Sequence, residues 1–354
     1  MKLIKGSIIS LSVIILMVLS SCSAEETLVV SSDHNLDFTE LAQTWDEAIP
    51  LGNAVIGNLI WEKDGMLRFS LDRSDLWDLR PKKNINFNKW KFSDVHKHWK
   101  ADQYDKVQDA FDVPYNTLPA PSKIPAGALE FDISALGKIS SVSLDLLSAT
   151  CLVEWENGSR LTTFIHAEKP VGWYRFENIP EGLDIELVPP AYNKPGNRQR
   201  VDQAMGDLDE LGYQQGVVKV EGNSITYDQQ GWDDFSYQIT TRWEREGNTL
   251  EGCWSISSKN PEWEERPTAS QVLSEEMGRG YDGSFGEHNE WWKKYWGRSQ
   301  VEIPDPLLEK QYYLEMYKFG SAARNHAPPI ALQSVWTADN GKLPPWKGDF
   351  HHDL

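Results

Sequence analysis

Leu152-Val-Glu-Trp155, then Glu156-Asn157-Gly158-Ser159, then Leu161-Thr-Thr-Phe-Ile165 is the stretch whose reading decides the fold. Two runs rich in β-branched and aromatic residues flank an Asn-Gly pair, and Asn-Gly supplies the positive φ angles that a tight hairpin demands. The same rhythm continues on both sides. Residues 217–220, 224–227, 236–243 and 249–257 are short apolar runs separated by Gly, Asn or Asp, and 129–133 is another, behind the Pro-rich stretch 114–125. From Trp45 to about Trp254 there is little sustained helical periodicity, so the pattern predicts a mainly β chain built on an N-terminal β-sandwich, residues 41–265.

Past that point the alternation stops. Residues 269–278 and 285–296 are richer in Glu, Lys and Trp, and His288, Trp291, Trp292 and Tyr295 recur at i, i+3, i+4 and i+7, one face of a helix. This predicts a helical linker over residues 266–303. Pro304-Asp305-Pro306 then offers Asp305 as N-cap and Pro306 as first helical residue. A helix over 307–324 follows, with Leu307, Leu308, Tyr312, Met316 and Phe319 as its apolar stripe. A stripe that broad must pack against other elements, so the natural polypeptide is expected to continue past Leu354.

The beginning of the chain carries a different signal. Lys2 and Lys5, an apolar run over 8–19 and Leu19-Ser20-Ser21-Cys22 read as an n-region, an h-region and a small-residue cleavage site. The run is shorter than the roughly 20 residues a membrane span needs. With Cys directly behind the small residues it resembles a bacterial lipoprotein signal: residues 1–21 would be removed, Cys22 acylated, and 22–40 left as a tether carrying Glu25 and Glu26. That implies attachment to outer-membrane lipid through Cys22, on the periplasmic or cell-surface face. Cys151 and Cys253 remain, too few for a disulfide framework, and could pair or stay separate buried thiols.

The formal net charge of −18 argues against nucleic acid as a partner, because binding it needs a basic face that displaces counterions. A neutral ligand fits better. With 16 Trp, 12 Tyr and 12 Phe the chain is rich in rings that either fill cores or stack on the C–H faces of sugars.

Trp45-Asp-Glu-Ala-Ile-Pro-Leu-Gly-Asn53, Ile56-Gly57, Arg73-Ser-Asp-Leu-Trp77, the Asn157-Gly158 hairpin, the 288–296 helix, Ala331-Leu332-Gln333-Ser-Val-Trp336 and Pro344-Pro345-Trp346-Lys-Gly-Asp349-Phe-His351 together resemble glycoside hydrolase family 95, the α-L-fucosidase family. That resemblance implies a sandwich, linker helices and an (α/α)6 barrel begun by residues 304–354, with inverting two-carboxylate chemistry whose acid and base lie beyond Leu354. The fragment by itself is then expected to be inactive. Asp353 stands where the family's motif has an asparagine that positions the attacking water. Gly52 and Gly57 permit turns and close backbone approach without any substrate.

The candidate site follows from the crowded tail. Trp336 and Trp346, beside Pro344 and Pro345, are expected to wall a sugar subsite, with Asp349, His351, His352 and Asp353 on hydroxyls or water. Adjacent His351 and His352 point to opposite faces and suit a metal badly, so no metal and no cofactor are expected. Asp72, Asp75 and Asp78 are read as turn acids bonding nearby backbone. The function expected is release of terminal α-L-fucosyl or related sugars from glycans. A non-catalytic glycan-binding surface lipoprotein and a sugar phosphorylase of the same architecture are the alternatives.

Overall fold

The computed structural model describes residues 30–81, 91–194, 206–260, 264 and 266–349. The expected signal segment, Cys22, His351, His352 and Asp353 lie outside the described residues. In chain order the strands are β1 (Leu36–Phe38), β2 (Ile49–Gly52), β3 (Ile56–Lys63), β4 (Met66–Arg73), β5 (Trp77–Asp78), β6 (Ser122–Lys123), β7 (Gly127–Asp132), β8 (Ile139–Asp145), β9 (Thr150–Trp155), β10 (Arg160–Ile165), β11 (Gly172–Glu177), β12 (Ile185–Val188), β13 (Val217–Val220), β14 (Ser224–Gln230), β15 (Ser236–Glu246) and β16 (Thr249–Lys259). The helices are α1 (Phe92–Lys100), α2 (Tyr104–Thr117), α3 (Ala269–Arg279), α4 (Tyr281–Trp296) and α5 (Pro306–Ala322).

Nine strands form one antiparallel sheet in the order β1-β8-β9-β10-β11-β16-β15-β14-β13, and five form a second, β12-β7-β4-β3-β2. Alternation decides which side of each strand faces inward. On β4, Leu67, Phe69 and Leu71 enter the core between the sheets, and Phe131 of β7 meets Tyr174 and Phe176 of β11 at ring centroid distances of 5.1 and 5.2 Å. The Asn157-Gly158 hairpin joins β9 to β10 as expected. Its turn differs in detail: of the pair only Gly158 takes a positive φ, 85°, while Asn157 Oδ1 accepts from the Ser159 N–H at 2.9 Å. A longer loop with one left-handed glycine needs one such residue rather than two.

The outer face of the nine-stranded sheet is also apolar, and α3 and α4 cover it. Phe164, Val171, Trp173 and Cys253 pack there against Leu273 and Tyr281. α5 crosses α4 through aromatic contacts, Trp292 on Tyr317 at 5.6 Å and Trp296 on Tyr313 at 5.9 Å. The chain is thus a β-sandwich followed by packed helices.

Three expectations need correction. The sandwich starts before residue 41, because Leu36–Phe38 of the expected tether pairs with β8. α1 and α2 interrupt the strands between β5 and β6, and Pro114 lies within α2. The packed side of α5 is Tyr313, Tyr317 and Gly320 to Ala322, whereas Leu307, Leu308 and Phe319 of the expected stripe are exposed. Apolar spacing alone did not register that Tyr can be buried when its hydroxyl is satisfied, as Tyr317 is by the Pro50 carbonyl at 2.6 Å. Of the two states left open for the cysteines, the structure has Cys151 and Cys253 as separate buried thiols, and burial pushes Cys151 up to about 12.

Candidate functional site

The segment after α5 lies across the outer face of the five-stranded sheet, and the residues that hold it there are polar. β4 turns Arg68, Ser70 and Asp72 outward, the alternates of its core residues. Asp339 accepts from Arg68 through both carboxylate oxygens, at 2.5 and 3.1 Å, and from Ser70 Oγ at 2.6 Å. Glu130, on the neighbouring β7, pairs with the same guanidinium. Asp72 accepts from the Thr337 N–H at 3.1 Å and its hydroxyl at 2.6 Å, and forms a buried ion pair with Lys123 at 2.5 Å. Between them Val335 sits on Gly57, where an added Cβ would come within 2.4 Å of the Val335 carbonyl oxygen.

The other two acids of that sequence row are equally committed. Asp75 is held by Arg73, Ser258 and Arg266, and those partners carry its carboxyl below the usual range despite burial. Asp78 binds Arg80 and the Tyr213 hydroxyl. All three reach well beyond backbone turns. They are the buried polar frame on which the tail and the β5–β6 ribbon rest, so their side chains are fully used.

From Leu332 the tail makes a closed excursion and returns, the Leu332 N–H donating to the Asp349 carbonyl at 2.7 Å. Trp336 is partly buried, its indole N–H donating to the Leu51 carbonyl at 2.9 Å. It lines an open apolar groove of about 650 Å³ together with Met316 and Phe319 of α5 and with Ile330, Leu332 and Gln333. Trp346 is 54 % exposed and does not line this groove. Trp346 and Lys347 have left-handed backbones, φ 46° and 61°. Their turn is pinned by Lys347, which donates to the Tyr115 and Leu118 carbonyls, and by Gly348, packed on Lys123. A non-glycine residue at positive φ is uncommon, and persists where surrounding contacts determine it. Among the described residues Asp349 Oδ1 is buried without a hydrogen-bond partner, and the Asp349 charge adds to burial in raising the Tyr115 phenol.

Of the residues expected to share one sugar subsite, the structure therefore puts Trp336 in a groove beside α5 and Trp346 on a separate turn. Thr337, Asp339, Lys123 and Arg68, which sequence reasoning passed over, fix where both lie. Among the described residues, no group of three or more His, Cys, Asp or Glu is arranged to hold a metal ion, and no helix is long and apolar enough to cross a membrane.

This architecture can be set beside known proteins. No family model and no curated protein sequence matches the chain. A solved structure does match: a protein provisionally named a kojibiose phosphorylase, from the human microbiome, with a TM-score of 0.52 at 10 % identity, over 86 % of this chain and 41 % of the other. The likeness is one of fold. This chain spans less than half of the protein it matches.

Proposed function

We propose that the chain supplies the sandwich, linker and first helical elements of a glycan-processing enzyme that removes terminal sugars. The observation that carries this reading is the fold likeness to a protein named as a sugar phosphorylase. The motif block at 331–336 and the described residues 344–349 of the second block support it, since they fall on the tail that the sandwich frame holds in place. On this reading Trp346 offers its exposed indole to a sugar ring and Trp336 shapes the groove wall, while Asp349, His351, His352 and Asp353 bond hydroxyls or water. The catalytic carboxylates belong to the remainder of an (α/α)6 barrel, and the reaction is an inverting hydrolysis of α-L-fucosides or related termini. Acylation of Cys22 would hold the enzyme to outer-membrane lipid.

Phosphorolysis is the second reading, favoured by the name of the structural match. The two differ in what attacks the anomeric carbon. Incubating the gene's complete product with fucosylated and other α-linked oligosaccharides, with and without phosphate, separates them. Free monosaccharide without phosphate supports hydrolysis, sugar phosphate formed only in its presence supports phosphorolysis, and no product in either condition overturns both.

A further inference from the structure

α1 and α2 stand between β5 and β6, and α1 contributes no buried residue. Phe92 and Trp99 of α1 are 81 % and 63 % exposed, and Tyr104, which opens α2, is 55 % exposed. Large apolar groups gathered on one exposed helix mark a surface that something covers. The charge of this helix is also opposite to that of the protein. Residues 91–100 hold Lys91, Lys97 and Lys100 against the single Asp94, in a chain of net charge −18. Asp94 and His98 line the crevice against Lys106, Asp109 and Phe111 of α2, so the acid is turned away from the aromatic side.

The rings and the lysines beside them together suit one kind of partner. Phe92, His96 and Trp99 form a stack, with centroids 5.7 Å apart at 12° and 6.0 Å apart at 16°. A lipid interface accepts ring edges and apolar bulk, and lysines beside them gain from anionic headgroups.

We propose that α1 is a membrane-contacting finger that lays Phe92 and Trp99 into the interface of an anionic bilayer, with Lys91, Lys97 and Lys100 against headgroup phosphates. It stands apart from the glycan reading and needs no acyl chain on Cys22. The 354-residue chain, produced without acylation, is co-sedimented with vesicles of phosphatidylcholine alone or containing phosphatidylglycerol. The apolar run at 8–19 partitions into both and Lys2 and Lys5 beside it add an anionic preference of their own, so the readout is how far each variant lowers the ratio of the parent. A preference for the anionic vesicles is expected, weakened by salt; K91Q/K97Q/K100Q should lower the ratio by about fivefold per lysine removed, and F92S/W99S should lower binding to both vesicles. Each variant changes exposed side chains, and an unchanged melting temperature confirms that it folds. Equal partition of the parent into both vesicles, or binding and a ratio that neither variant lowers, overturns the proposal. So does binding of polygalacturonate through the same residues in place of vesicles.

Discussion

Replacing Asp72 by Ala tests whether the buried ion pair under the tail holds it in place. Asp72 and Lys123 are 2 % and 1 % exposed and meet at 2.5 Å. Removing the carboxylate leaves the Lys123 ammonium with only the Arg73 carbonyl, 3.0 Å away, and strips the acceptor from both the Thr337 N–H and its hydroxyl. An uncompensated buried charge costs about 3–5 kcal/mol, with the orphaned Thr337 donors inside that range. Lys123→Met should also destabilise, by stranding the carboxylate. The double variant D72A/K123M carries neither charge, so its loss should fall about 2 kcal/mol short of the sum of the singles. Urea unfolding gives the three free energies, and limited proteolysis should cut residues 331–343 faster in D72A than in the parent. If the two losses add to within about 0.5 kcal/mol, Asp72 and Lys123 do not act as a pair, and if residues 331–343 are cut no faster in D72A, Asp72 does not hold the tail.

Gly57→Ala places a Cβ 2.4 Å from the Val335 carbonyl oxygen, and should lower the urea midpoint by the equivalent of about 1–3 kcal/mol. His288 is fully buried with its imidazole pushed down to about 3 by burial, so between pH 6.5 and that value the unfolded chain takes up a proton that the folded chain refuses. Its contribution is therefore present above pH 6.5 and is lost as pH falls, at about 1.4 kcal/mol per pH unit; H288Q should flatten that slope in stability measured from pH 7 to 4. Trp346→Ala removes a half-exposed ring and should leave unfolding unchanged within about 0.5 kcal/mol while raising KM for glycan in the complete enzyme. Trp336→Ala gives up the bond to the Leu51 carbonyl, and should register in the melting temperature as well.

The strands were readable because a half-buried strand repeats every second residue, and the runs at 152–165 and 217–257 obey that repeat with turn residues between them. α3 was readable from the loss of strand alternation, α4 from its period, and α5 from the Asp305-Pro306 cap, whose carboxylate does accept from the Leu307 N–H at 2.9 Å, although its apolar spacing pointed to the exposed side. α1 and α2 were not. With no buried residue, α1 has no core-facing stripe for periodicity to reveal. The tail showed its aromatic and acidic character in sequence, yet not its seat. Asp72 and Thr337, or Arg68 and Asp339, are over 260 residues apart in the chain, and only the folded sheet brings them together. Pairs of polar groups carry no periodic signal, so sequence showed which residues were unusual and the structure showed what they touch.

The account turns on the chemistry that this scaffold serves. Proton NMR of the complete gene product acting on α-linked oligosaccharides, in buffer free of phosphate, follows the anomeric signal of each newly released monosaccharide. The account predicts that a terminal sugar appears first as the inverted β-anomer and then mutarotates. Release of the α-anomer would contradict the inverting mechanism, and no released sugar from any glycan, with or without phosphate, would contradict the enzyme.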